Sequence, residues 1–235
     1  MPPSPRPPGS PNLLSRASRA AAARGWQSLA RLYAIVDVEV CAAAEQAPID
    51  VVRAFLSAGV KVIQLRAKTW DSGVFLDLAH ASAADATQAG ALLIVNDRAD
   101  VAAICGAQGL HVGQEDLRPA DARRVVGDAF CLGLSTHSEP QWTAGLDTPI
   151  SYLAIGPVFG TGTKATGFLP VGLETVSRVA AMAGGRAVPV VAIGGITLDR
   201  APSVIAAGAS SVAIISDLMV GSPETRARAF IAALA

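Results

Sequence analysis

The residues best suited to chemistry fall in short polar clusters, each placed just after an apolar run. The first is Gln64-Leu65-Arg66-Ala67-Lys68, which closes the run Val60–Leu65. Strand side chains alternate between faces, so Gln64, Arg66 and Lys68 are expected to project together, away from Ile63 and Leu65. An amide followed by two cations is poor core material and good material for holding an anion beside a polar ring. Asn96-Asp97-Arg98 and Gly113-Gln114-Glu115-Asp116 add two carboxylates. Asp97 and Asp116 together suit Mg²⁺, which keeps waters and takes one or two carboxylates plus substrate phosphate oxygens. His111 and Ser135-Thr136-His137 lie in further clusters of the same kind. The loop Gly160-Thr161-Gly162-Thr163-Lys164 alternates glycine with hydroxyls and ends in an ammonium, an anion cradle whose spacing is not that of a Walker A loop. Gly194-Gly195 and Ile215-Ser216 are positioned for backbone amides to approach phosphate oxygens.

Each feature also has a plainer reading. Asp97 could cap a helix, Asp116 could be a turn residue, His111 a satisfied core histidine, and Gly194-Gly195 a left-handed turn with no ligand. The pairing of Asp97 with Asp116 beside Arg66, Lys68 and Asn96 weighs for a site. His80 falls within a helix and has no case; His137 and Arg98 stay open.

The elements that must position these clusters follow a regular rhythm. Apolar runs at Leu32–Val36, Lys61–Leu65, Leu92–Val95, Gly109–Val112, Phe130–Leu134, Tyr152–Ile155, Val188–Ile193 and Ser211–Ile215 alternate with Ala-rich segments of helical period. Those segments are Ile49–Ala58, Ser72–Gln88, Ala99–Cys105, Pro119–Val126, Glu139–Ala144, Leu173–Ala183, Leu198–Ala207 and Pro223–Leu234. Ser72, Ser138, Thr197 and Ser222 are expected N-caps, and Gly59, Gly90 and Gly208 stand where helices should stop. Nearly continuous apolar strands joined through helices mean a parallel sheet covered on both faces. Eight such pairs predict a closed (β/α)8 TIM barrel over residues 31–235; an open doubly wound sheet is the alternative. In such barrels chemistry collects in the loops after the strands. Here polar residues gather after strands two to eight, with no comparable cluster at the opposite ends, which marks the protein as an enzyme.

Composition limits the partners. Of 235 residues 51% are apolar and 16% charged, enough to fill one large core, and the formal net charge is +0. That balance gives no general case for nucleic acid or membrane binding. Cys41, Cys105 and Cys131 are scattered, as reduced core thiols of a cytoplasmic protein would be. No apolar run reaches the ~18 residues of a transmembrane helix. Five arginines precede the first carboxylate, Asp37, leaving 14 basic against 19 acidic residues in the body. Residues 1–30 are rich in Pro, Arg and Ala and are expected to be a disordered extension outside the fold. An organellar transit peptide has the same composition; we take the plainer reading.

The ordered motifs resemble the thiamine-phosphate synthase family. They are Tyr33–Asp37, the QLRxK run at 64–68, Val95–Arg98, Gly109–Asp116, Ser135–His137, the TxTK run at 161–164, Gly194–Ile196 and Ile215-Ser216. The resemblance implies Mg²⁺-assisted coupling of hydroxymethylpyrimidine diphosphate with hydroxyethylthiazole phosphate to give thiamine phosphate and diphosphate. It implies that Gln64, Leu65, Arg66, Ala67, Lys68, Asn96, His111, Ser135 and Lys164 hold the pyrimidine diphosphate, with Arg66, Lys68, Ser135 and Lys164 acting in catalysis. Thr161, Gly162, Thr163, Gly195, Ile215 and Ser216 would hold the thiazole phosphate, and Asp97 and Asp116 the metal. The expected partners are thus two small phosphorylated molecules; a homo-oligomer is left open. Gly160, Gly162 and Asp217 depart from the family pattern. The rival readings are a thiazole tautomerase on the same barrel, a non-catalytic thiamine-phosphate sensor and a sugar-phosphate isomerase. The intact diphosphate motifs weigh against the first two, and the absence of a placed base against the third.

Overall fold

The eight apolar runs form a single closed sheet. The computed structural model of the protein describes residues 30–160 and 167–235. All eight strands are parallel and pair in chain order, and β1 (Leu32–Asp37) closes on β8 (Ser211–Ile214) with Tyr33 opposite Ala213. Between them run β2 (Val62–Arg66), β3 (Leu92–Asn96), β4 (Gly109–Val112), β5 (Cys131–Thr136), β6 (Tyr152–Ile155) and β7 (Val190–Ile193). The predicted closed barrel is therefore observed, and the open sheet is not.

The alternation of strand side chains makes two cores. Ile63, Leu65, Val95, Leu110 and Leu132 point outward into the helix layer, while Tyr33, Ile35, Val62, Ile94, Cys131 and Tyr152 fill the barrel. Two glycines make the interior possible. A Cβ on Gly133 would sit 2.0 Å from Tyr152 Cζ and 2.5 Å from His111 Nδ1, and one on Gly109 would sit 2.7 Å from Ile94 Cγ1. Small residues opposite large ones let the layers interdigitate.

The helices are α1 (Val38–Ala43), α2 (Pro48–Ala58), α3 (Ser72–Gln88), α4 (Ala99–Ile104), α5 (Pro119–Val126), α6 (Glu139–Leu146), α7 (Gly172–Gly184), α8 (Ala201–Ala206) and α9 (Pro223–Ala233). Gly59 ends α2 in the left-handed conformation as expected, and the Ser222 side chain caps α9 by accepting from Thr225 N. Ser138 stands at the N-cap position of α6, where its side chain makes no capping bond. Two expected starts are corrected. Asp71 precedes α3 in place of Ser72, because its extended backbone carries the first helical carbonyl, which accepts from Phe75 N at 3.0 Å. Helix α8 begins at Ala201, not at Leu198, because the Thr197 carbonyl takes Arg200 N and Ala201 N in a turn.

Two elements were not anticipated, α1 and a 3₁₀ turn over Ser216–Met219. Each follows its strand directly, with Asp37 capping α1 and Ser216-Asp217 opening the turn. The expected extension lies outside the described residues except for Ala30, whose carbonyl accepts from Ser211 Oγ at 2.8 Å.

Candidate active site

The C-terminal ends of β1 and β2 bring opposite charges together. Register places Asp37 opposite Arg66, and the Asp37 carboxylate pairs with Arg66 Nη1. The same carboxylate caps α1, accepting from Glu39 N at 3.1 Å and Val40 N at 3.2 Å. Glu39 Oε1 in turn accepts from Lys68 N at 3.2 Å and Thr69 Oγ1 at 2.9 Å, fixing the chain just past β2. Among the described residues, Arg66 Nε and Glu39 Oε2 are buried without a hydrogen-bond partner. Such groups each cost about 1–3 kcal/mol, and Glu39 Oε2 stands 3.8 Å from Arg66 Nη1.

Gln64, expected to share a face with Arg66, does so, but it lies inside the barrel with Nε2 on Tyr33 Oη at 2.7 Å. Leu65 points into the helix layer, so only its main chain can meet a ligand at the rim. Lys68 lies beyond the strand and contacts Asp97 Oδ2. Asn96 is buried at the end of β3, opposite His111 on β4.

Asp97 does not cap a helix. Arg98 holds the N-cap position of α4, and Asp97 has φ +63°, a left-handed conformation that non-glycine residues adopt at a cost. Its amide donates to the His111 carbonyl at 2.7 Å, which turns the carboxylate toward Asp116. The two carboxyl groups are close enough to shift each other's ionisation. Burial and then Asp116 push Asp97 up; for Asp116 burial acts upward, but bonds from Asp97 and Gly113 N outweigh it and hold it down. Asp116 Oδ2 accepts from Gly113 N at 2.7 Å, so Asp116 closes a turn while facing Asp97. Two hard oxygen donors of adjacent loops are the donor type Mg²⁺ takes. The described residues contain no cluster of three or more His, Cys, Asp or Glu that would serve as an all-protein metal cage.

Ser135 closes this half of the rim. Its Oγ lies 2.8 Å from His111 Nε2, and its carbonyl accepts from Gln114 Nε2 at 2.6 Å. It also lines a cavity of about 370 Å³ that extends to the ends of β7 and β8. Gly194 and Gly195, at φ +99° and +63°, form the wall of that cavity. A Cβ on Gly195 would sit 2.4 Å from the Gly160 carbonyl, so conformation and space both demand glycine. Ile215 and Ser216 complete the cup.

Several contributors were not singled out from the sequence. Arg200 lines the cup, donating to the Gly195 carbonyl at 3.0 Å with its guanidinium 4.8 Å from the centre of the Phe159 ring. Asp37 and Glu39 brace the β2 end; an aspartate closing an apolar run was the available signal. Asp217, the departure from the family pattern, pairs with Arg226 Nη2 at 2.7 Å and accepts from Leu198 N at 3.1 Å, so its charge is met from outside the cup. His137 lines the cavity with Nδ1 2.6 Å from the Gly156 carbonyl, and Arg98 pairs with Asp100. Thr161, Gly162, Thr163 and Lys164 lie outside the described residues. No helix among the described residues is long and apolar enough to cross a membrane.

Known proteins resemble this sequence and share this barrel. The family model for thiamine monophosphate synthase matches residues 32–218. The chain is 40% identical to the thiamine-phosphate synthase of Chlorobium luteolum, over 80% of this chain and 88% of that protein. It is also 40% identical to the thiamine-phosphate synthase of Koribacter versatilis, over 86% and 95% respectively. The solved thiamine phosphate pyrophosphorylase of Pyrococcus furiosus superposes with a TM-score of 0.80 at 26% identity, covering 89% of this chain and 97% of that one. The chain belongs to the thiamine monophosphate synthase family.

Proposed function

We propose that this protein joins 4-amino-2-methyl-5-hydroxymethylpyrimidine diphosphate to 4-methyl-5-(2-phosphoethyl)thiazole, forming thiamine phosphate and releasing diphosphate. One observation carries the reading: on a single barrel rim, cations and carboxylates gather after β2, β3 and β4 on one side of Ser135, and a cavity walled by Gly194, Gly195, Ile215, Ser216 and Arg200 lies on the other. A phosphorylated acceptor facing a diphosphate leaving group needs that pairing.

In this reading Arg66 and Lys68 meet the diphosphate, joined by Ser135 and Lys164. Gln64, Asn96 and His111 face the pyrimidine, with Leu65 and Ala67 contributing main chain. Asp97 and Asp116 hold Mg²⁺, which when bound neutralises charge developing on the leaving group. Thr161, Gly162, Thr163, Gly195, Ile215 and Ser216 receive the thiazole phosphate through amides and hydroxyls.

The chain supplies position and charge, and no strong base is required of it. Asp37 holds Arg66 at the strand end, so the guanidinium is preorganised and does not reorient as charge develops. The bond to diphosphate breaks, the aminopyrimidine ring delocalises the benzylic-type cation, and the thiazole nitrogen captures it. The packed interior under the rim, with Ile35, Ile94 and Tyr152, keeps water from that cation. A cytoplasmic location fits the three buried free thiols.

The test is direct. Purified protein given both substrates and Mg²⁺ should release diphosphate and form thiamine phosphate, and each omission should abolish release. No diphosphate from the complete mixture would overturn the proposal.

A further inference from the structure

A hydrogen-bonded chain crosses the barrel interior beneath the rim. Gln64 Nε2 donates to Tyr33 Oη at 2.7 Å; Tyr33 Oη lies 2.8 Å from Tyr152 Oη; Tyr152 Oη lies 2.8 Å from His111 Nδ1; and His111 Nε2 lies 2.8 Å from Ser135 Oγ. It joins β2, β1, β6, β4 and β5, and it uses both tyrosines of the sequence. Tyr33 and Tyr152 are 1% and 0% exposed, so water does not complete their bonding. Burial raises both phenols far above their ordinary range, so each keeps its one hydrogen.

With Gln64 donating through Nε2, counting hydrogens sets the direction of the chain. Gln64 donates into Tyr33 Oη, so the Tyr33 hydrogen goes to Tyr152 and the Tyr152 hydrogen goes to His111 Nδ1. Imidazole that accepts at Nδ1 carries its hydrogen on Nε2, and that hydrogen goes to Ser135 Oγ. The Ser135 hydroxyl hydrogen is left to point away from His111, into the cavity that Ser135 lines. The reverse direction puts two donors on Tyr33 Oη and strands the Tyr33 hydrogen in a dry interior, a costly arrangement. Gly133 makes the chain sterically possible, since any Cβ there would collide with Tyr152 and His111.

We propose that Tyr33 and Tyr152 are positioning residues which, through the tautomer of His111, fix the Ser135 hydroxyl as a hydrogen-bond donor into the cavity at the junction of the two halves of the site. The identity of the group that receives this donor rests on the synthase reading above; the proton arrangement does not. A donor oriented before reaction spares the reorganisation that a freely rotating hydroxyl would need.

Two measurements on the full chain test the proposal. In ¹⁵N spectra of histidine-labelled protein without substrate, His111 is expected as the Nε2–H tautomer, and Tyr152→Phe is expected to abolish that preference. An Nδ1–H tautomer in the wild type overturns the proposal. In steady-state turnover, Tyr152→Phe should lower kcat about tenfold, the worth of one hydrogen bond to a charged group, with both KM values nearly unchanged. Tyr33→Phe, one link further back, should give the same pattern. Adding Tyr152→Phe to Ser135→Ala should cost nothing more, because the two act as one unit. An equal loss from Tyr152→Phe in both backgrounds would mean that Tyr152 acts by packing alone, and overturns the proposal. Wild-type protein with the expected tautomer and no diphosphate release would support the proton arrangement while overturning the synthase reading.

Discussion

Asp37 and Arg66 form a buried ion pair across the ends of β1 and β2, with side chains 4% and 14% exposed. The aspartate also caps α1, so one carboxylate sets both the helix start and the guanidinium. Substitution separates the two tasks. Asp37→Asn keeps a competent cap while removing the charge, whereas Asp37→Ala loses both. The asparagine variant should leave Arg66 with only the more distant Glu39 carboxylate, 3.8 Å away, lowering stability by about 3 kcal/mol and kcat/KM at least tenfold. The alanine variant should cost about 1 kcal/mol more from the lost cap. Denaturant melts and diphosphate-release kinetics on both variants check this, and equal stability of the two would disprove the capping role.

Asp97 combines a left-handed backbone, at φ +63°, with a carboxylate facing Asp116. Asp97→Ala should abolish turnover with much less effect on thiazole-phosphate affinity, since the glycine cup stands apart. Asp97→Gly should be equally inactive yet about 1 kcal/mol more stable than Asp97→Ala, because glycine adopts positive φ without the Cβ penalty. Isothermal titration and thermal melts read both effects. Inactivity accompanied by lost thiazole-phosphate binding would point to a damaged fold.

How much of this site could be read from sequence depends on what each residue answers to. The barrel was legible because eight apolar runs separated by helical segments leave few other ways to bury that surface. The approach of Asp97 to Asp116 was legible because both follow adjacent strands of the barrel and so share its rim. The tyrosine chain was not: Tyr33 and Tyr152 sit inside apolar runs, where a phenol reads as bulk. Only closure of the barrel, which brings β1 and β6 across from each other, places their hydroxyls 2.8 Å apart. Arg200 was missed for a related reason. It falls in the turn after β7 that the sequence presented as the start of a helix, and its stacking on Phe159 joins two loops distant in sequence.

The three free thiols give a pH prediction. Burial, and then the nearby Asp37 charge, push Cys41 up from 9.0 to about 11, and burial inside the barrel raises Cys131 further. A thiol harder to ionise in the folded state contributes stability that is complete below the unfolded value and is lost as pH rises through the folded one. Stability should therefore decline from about pH 9 upward, and Cys41→Ala should flatten part of that decline. At neutral pH a disulfide reagent should modify no thiol in the folded protein within minutes and all three after denaturation. Rapid modification of any one would contradict the burial seen for Cys41, Cys105 and Cys131.

Gly195 offers a clean probe of the amide cup. Its φ of +63° and the 2.4 Å approach of any added Cβ to the Gly160 carbonyl mean that Gly195→Ala must move the β6–α7 loop away from the end of β7. Arg66, Lys68, Asp97 and Asp116, after β2, β3 and β4, take no part in that contact, and of the residues assigned to the diphosphate only Lys164 shares the displaced loop. Gly195→Ala should therefore raise KM for the thiazole phosphate at least tenfold and KM for the pyrimidine diphosphate by a clearly smaller factor, through Lys164 alone. Strain at a non-glycine positive φ adds a stability cost of about 1–2 kcal/mol. Separate KM determinations for the two substrates decide the matter. A parallel rise in both would mean that the cup and the cationic half of the rim form one site, and that the assignment of two independent anion sites is wrong.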